Sequence, residues 1–115
     1  MKAWKIVYTA QAENDLRGIY EYIAYVLQEP GYAAGQSDRI MDTADTLEQL
    51  PEKYKLYEEE PWFSMGLRVL PVDNFLIFYL PVERKNTVAV IRIMYGGRDI
   101  GERLKSTDFT VPDEP

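Results

Sequence analysis

The chain has 115 residues, and neither cysteine nor histidine is among them. Without cysteine there are no disulfides, no thiolate nucleophile and no thiolate metal site. Without histidine the commonest general base near neutral pH and the commonest zinc ligand are both missing. Any chemistry must therefore run on carboxylates, tyrosine, lysine or arginine, and neither a metal nor a cofactor is expected. No apolar run approaches the roughly 20 residues that a membrane-spanning helix needs. The opening Met1-Lys2-Ala3-Trp4-Lys5-Ile6 alternates like a short strand and lacks the apolar stretch of a signal peptide. The expectation is a cytoplasmic protein with no membrane association.

What is present suffices for a packed core. Hydrophobic residues make up 46% of the chain, with nine tyrosines and two tryptophans. A single domain of this length buries roughly two-thirds of its unfolded surface without staples. The net charge is −6, against the basic surface that broad nucleic-acid binding requires. That average hides an asymmetry. Residues 1–64 carry six basic and twelve acidic side chains, whereas residues 65–107 carry seven basic and four acidic ones. An acidic target or partner would meet the second half.

The periodicities divide along the same line. Trp4, Ile6 and Tyr8 alternate with Lys5 and Val7 as in a strand. Thr9 stands where a helix N-cap belongs, its hydroxyl accepting an otherwise orphaned backbone N–H. Leu16, Ile19, Tyr20, Ile23 and Leu27 then form one apolar stripe on a helix over about 10–28, with Glu13 and Asp15 in its dipole-favoured first turn. Pro30-Gly31 should stop this helix. A second is expected over about 33–50, with Ile40, Ala44 and Leu47 buried, and the two form an antiparallel hairpin. Residues 52–64 have no clean period and read as a surface loop. Three strands follow at 66–71, 75–82 and 87–95, the middle one apolar enough to be central and joined to the last by the polar Glu83-Arg84-Lys85-Asn86. Gly96-Gly97 ends the third strand, a helical turn fits 99–105, and 106–115 reads as a flexible tail. The order βααβββ indicates an α+β fold: a small antiparallel sheet with the N-terminal helical hairpin on one face. Residues 1–105 make up its one domain.

Two segments resemble a known family. Gly66-Leu67-Arg68-Val69-Leu70-Pro71-Val72-Asp73-Asn74-Phe75-Leu76-Ile77-Phe78-Tyr79 is similar to the paired-strand core of RelE/ParE superfamily toxins from bacterial type II toxin–antitoxin systems. Val90-Ile91-Arg92-Ile93-Met94-Tyr95-Gly96-Gly97-Arg98-Asp99 resembles the family's final strand and closing Arg-Asp element. With the opening strand and hairpin, the resemblance covers about residues 2–104. It implies a toxin neutralised by a wrapping antitoxin, the two forming a hetero-oligomer. RelE-type members cut messenger RNA on the ribosome; ParE-type members poison DNA gyrase. Leu76 stands where RNA-cutting members often carry arginine, and Tyr95 where many relatives have histidine. Those departures, and the acidic balance, favour the ParE branch and a non-enzymatic toxin. An mRNA endoribonuclease and a non-toxic binding protein are the alternatives.

For RNA cleavage the candidate residues are Arg68 and Arg98 as phosphate clamps and Tyr95 as acid or base. Arginine's planar fork suits paired phosphate oxygens, while tyrosine, with a free pKa of about 10, needs nearby cations to act as a base. The structural alternative has Arg68 anchoring the sheet through a carboxylate such as Asp99, and Tyr95 packing on the hairpin. For a target or antitoxin interface the candidates are Arg68, Arg92, Arg98 and Arg103, with a salt bridge as the other reading of Arg92. Glu58-Glu59-Glu60 reads as a solvated loop and not as a metal site. Tyr20 belongs to the core face of its helix, whereas Tyr22 and Tyr25 flank it and suit a protein interface.

Overall fold

The computed structural model describes residues 3–97 and 99–112. Strand β1 (Lys5–Tyr8) leads into helix α1 (Ala10–Glu21), which loosens into a π-helical turn over Tyr22–Val26. Thr9 caps α1 as expected: its Oγ1 accepts the Ala12 N–H at 3.0 Å and donates to the Ile91 carbonyl at 2.8 Å. One residue thus satisfies an orphan helix donor and ties the helix to the sheet.

Helix α2 spans Pro30–Asp45 and tightens into a 3₁₀ turn over Thr46–Glu48. Pro30 was expected to stop the first helix. It instead opens the second, because its missing N–H would be unpaired in a first turn anyway and its fixed φ is already helical. The reversal falls at Gln28, whose φ is 58°. The connector also holds more structure than a surface loop. A short helix α3 (Trp62–Met65) lies within it, Trp62 is buried, and Leu56 bridges to Arg68.

Strands β2 (Arg68–Val72), β3 (Phe75–Val82) and β4 (Thr87–Tyr95) form an antiparallel meander, and helix α4 (Ile100–Lys105) follows. The sheet order is β1-β4-β3-β2. The fold is α+β with the hairpin on one face, as the pattern of elements predicts. The sheet is mixed, however, and not wholly antiparallel, because β1 pairs parallel to β4, with Tyr8 opposite Val90. The hairpin, the connector, β2 and β3 all lie between β1 and β4 in sequence, so no tight turn constrains their relative direction. Pro71 sits in β2, an edge strand, where a missing N–H removes no ladder bond on the outer side.

Both faces of the sheet are covered. On one, α1, α2 and the 3₁₀ turn after it bury Ala12, Ile40, Ala44 and Leu47 against Leu70, Ile77, Tyr79, Val88, Val90 and Ile93. On the other, Leu67, Phe78, Ala89, Ile91 and Met94 pack under Trp62, Leu104 and the partly buried Phe109 and Val111. The segment after α4 is therefore no free tail from residue 106: through Val111 it lies on the sheet, and the Gln11 side chain accepts the Asp108 N–H at 2.7 Å. Residues 113–115 of the expected tail lie outside the described residues. No helix among the described residues is long and apolar enough to cross a membrane.

Candidate functional site

Alternation along β4 places Val88 and Val90 toward the hairpin and Ala89 and Ile91 toward the opposite face. Between Val90 and Arg92 the register slips: Tyr79 pairs with Val90, and its neighbour Phe78 with Arg92. Ile91 is the extra residue of a β-bulge, which changes the phase of everything after it. Ile93 consequently joins the hairpin-side core and Met94 the other. Arg92 thus does not share one uninterrupted face with Val88 and Val90.

The bulge lies where β1 has already left the sheet. There Asp15 of α1 takes over as the partner of β4. Its Oδ2 accepts the Ile93 N–H at 2.9 Å and Arg92 Nε at 2.7 Å, while Oδ1 accepts Arg92 Nη2 at 2.9 Å. Arg92 Nη1 donates to Thr107 Oγ1 at 3.0 Å. The Arg92 and Asp15 side chains are 10% and 12% exposed, so the pair is a buried bidentate fork. It joins α1, β4 and the segment after α4. This is the salt-bridge reading of Arg92; its guanidinium does not face outward. Asp15 was visible in the sequence only as a helix-dipole charge. Nothing in its spacing points to a residue 77 positions away.

Arg68 is used in the same way. Its Nη1 donates to the Tyr54 carbonyl at 2.6 Å and to the Glu52 carbonyl at 3.2 Å. It anchors the connector to β2, but through backbone carbonyls and not through Asp99. Beside it the buried Tyr79 hydroxyl donates to the Pro51 carbonyl at 2.7 Å, and burial pushes this phenol up to about 12.

Tyr95 lies at the other end of the sheet. It is 63% exposed and meets the Phe75 ring edge-on at 5.9 Å, and Phe75 itself packs against the hairpin-side core. Gly97 passes so close that a Cβ there would stand 2.8 Å from the Tyr95 ring. Gly96 donates its N–H to Asn74 at 2.9 Å. The Gly-Gly pair therefore lets the chain turn past the tyrosine and the β2–β3 turn.

The register separates the candidates. Arg68 pairs with Tyr79, and Tyr95 with Phe75, four residues away on β3. At about 3.3 Å per residue this is roughly 13 Å along the strands, on opposite outer neighbours of β3. The structure does not bring Arg68 and Tyr95 together: the first is held by the connector's carbonyls and the second lies beside Phe75. Arg98, the third candidate, lies outside the described residues. Arg103 is exposed on α4, where its carbonyl accepts the Thr107 hydroxyl at 2.7 Å. Tyr20 is half-buried and Tyr22 and Tyr25 are exposed. Among the described residues no cluster of acidic side chains is arranged to hold a metal ion.

The comparisons with known proteins agree with this fold. The family model described as the ParE toxin of type II toxin–antitoxin system, parDE, matches residues 6–100. The fold is similar to that of a chain in the chromosomal ParDE toxin–antitoxin system of P. aeruginosa, with a TM-score of 0.68 and 23% identity over 83% of this chain and 98% of that one. It is also similar to a chain of the RelBE2 toxin–antitoxin complex of Mycobacterium tuberculosis, with a TM-score of 0.59 and 17% identity over 81% of this chain and 98% of that one. No curated protein sequence matches at a significant level.

Proposed function

Because the chain belongs to the ParE toxin family of type II toxin–antitoxin systems, we propose that it is a cytoplasmic toxin that a cognate antitoxin neutralises and that acts by binding DNA gyrase. The observation that carries the gyrase reading is the dispersal of the candidate ribonuclease residues. Arg68 is bound to the Glu52 and Tyr54 carbonyls, and Tyr95 pairs with Phe75, four residues along β3 from Arg68's partner Tyr79. In-line cleavage by a 2′-hydroxyl needs an acid–base group and charge stabilisers converging on one phosphate. A toxin that works by occupying a protein target needs no such convergence. Antitoxin binding is supported by the family membership and by the toxin–antitoxin complexes in which the similar folds occur.

Controlled expression in bacteria tests the proposal. The expected result is growth arrest with induction of the DNA-damage response and intact transcripts, together with inhibition of purified gyrase supercoiling. Truncated transcripts without DNA damage would overturn the gyrase target and favour the RelE-like alternative. Absence of any growth defect would leave a non-toxic binding protein.

A further inference from the structure

The pieces that cover the sheet face away from the hairpin leave a gap between them. An open cleft of about 630 Å³ runs between the end of the connector, from Glu59 to Met65, and the stretch from Gly101 to Phe109 that contains most of α4. Trp62, Leu104 and Phe109 line it with apolar surface. Met65 also lines it and is 43% exposed. A Cβ at Gly101 would meet nothing within 4 Å, so the α4 wall is open to an incoming group. A cleft of this size and lining suits a ligand or an inserted side chain. Phe63, 45% exposed on α3 but outside the cleft, carries the apolar surface beyond what a small molecule in the cleft would cover. Continuous exposed apolar surface of this kind marks a protein contact.

Charge selects what can enter. Residues 58–65 and 101–109, which build the two walls, carry five acidic and two basic side chains. The cleft is thus acidic although the second half of the chain is basic, because Arg68 and Arg92 are turned inward onto carbonyls and Asp15. Of the charged residues that line it, Glu59, Glu60 and Glu102 are acidic and Lys105 is basic. Lys105 lies 3.2 Å from Glu102, and that pair cancels. Arg103, the other basic residue of the walls, does not line the cleft. Glu60 accepts the Ser64 N–H at 3.0 Å and the Ser64 hydroxyl at 2.7 Å. Glu59 stands beside the Tyr57 phenol, which burial and then that carboxylate raise above its ordinary value, and the Tyr57 ring meets Trp62 edge-on at 5.9 Å. Neutral neighbours thus fix both carboxylates beside the apolar lining and leave their charge for an incoming cation. Such a rim repels phosphate and attracts ammonium or guanidinium groups. We propose that this cleft is a docking site for a basic segment of a protein partner. One large apolar side chain of that segment enters between Trp62, Leu104 and Phe109, and a neighbouring lysine or arginine pairs with Glu59 and Glu60.

The test uses the full chain and short labelled peptides, with neither gyrase nor antitoxin present, so its outcome is separate from that of the toxin proposal. The first peptide has a leucine–phenylalanine pair flanked by lysines. A second has glutamate in place of each lysine, and a third has serine in place of the apolar pair. Only the first is expected to bind, more weakly as ionic strength rises. It should shift the Trp62 indole resonance and the amide resonances of Gly101 and Leu104, and none along α1 and α2. Gly101→Leu fills the cleft with a side chain that a helical backbone accepts and for which there is room, so the fold should persist while binding falls about tenfold or more. Met65→Glu separates an apolar seat from mere charge attraction. It adds negative charge, so a purely electrostatic surface would bind the first peptide more tightly, whereas the cleft should bind it about tenfold more weakly through loss of apolar contact. No binding of the first peptide, equal binding of either control, shifts confined to the hairpin, or tighter or unchanged binding by the two variants would overturn the proposal. Free butylamine binding as tightly as the first peptide would assign the cleft to a small cation and overturn the protein segment as its occupant.

Discussion

The two faces of the sheet are covered by different kinds of structure. On one side lie two helices with apolar stripes, α1 and α2, which with the 3₁₀ turn after α2 bury Ala12, Ile40, Ala44 and Leu47. On the other lie pieces: a four-residue helix, a six-residue helix and an extended segment ending in Phe109 and Val111. A long helix satisfies its own backbone and needs only one apolar stripe to stay in place. Short pieces cannot nucleate alone and depend on joints to hold them. The two interior arginines are such joints. Arg68 holds the connector by its carbonyls, and Arg92 reaches Thr107 while gripping Asp15 beneath the hairpin. The comparison teaches that Arg68 and Arg92 serve to attach the cover of the second face.

The largest expected effect comes from breaking the joint shared by both faces. Asp15→Ala leaves the Arg92 charge buried and the Ile93 N–H unmatched, and should destabilise the fold by about 3–5 kcal/mol in denaturant unfolding. A loss below about 1 kcal/mol would mean that the fork is solvated in solution. Arg68→Ala should cost about 1–3 kcal/mol, because two carbonyls lose a charged donor at a partly buried site. Its amide-exchange signature should be confined to the connector; loss of protection across α1 and α2 would contradict the division between faces. Phe109→Ala should cost about 1 kcal/mol, since the ring is only partly buried, and should leave the hairpin-side core unchanged by near-ultraviolet spectra and exchange.

The smallest effect is a dependence on alkaline pH that compares the two tyrosines of the hairpin side. Tyr8 and Tyr79 are both raised to about 12, chiefly by burial, with the Asp45 charge adding to Tyr8. A phenol raised in the folded state contributes stability that is complete below its unfolded value near 10 and is lost as pH rises through about 12. Stability should therefore fall between these values, and Tyr79→Phe should flatten part of that fall. An unchanged alkaline profile in Tyr79→Phe would show that its phenol does not contribute.

Much of this was legible in local pattern. The Thr9 cap, the stripe through Leu16 and Ile19, and the apolar run of β3 each report a periodicity that the backbone geometry imposes. Pro30 is ambiguous in the sequence because proline both ends and begins helices, and only the chain on either side decides which. The bulge at Ile91 was invisible because a one-residue slip leaves no mark in an apolar strand, though it moves Ile93 to a different face. The candidate site was legible as residue types and not as a constellation. Arg68 and Arg92 stand out as lone charges among apolar neighbours, yet their partners are backbone carbonyls and an aspartate far away in sequence.

By itself, then, the sequence determined the element types, the α+β order and the family resemblance between Gly66 and Asp99, because these follow from short-range spacing and from residues read in order. It also determined the absence of histidine and cysteine chemistry. Only the tertiary structure decided that β1 runs parallel to β4, that Asp15 meets Arg92, and that Arg68 and Tyr95 stand at opposite ends of the sheet. Those depend on strand register and on contacts between distant residues, which are set by how the whole apolar surface closes and leave no local trace.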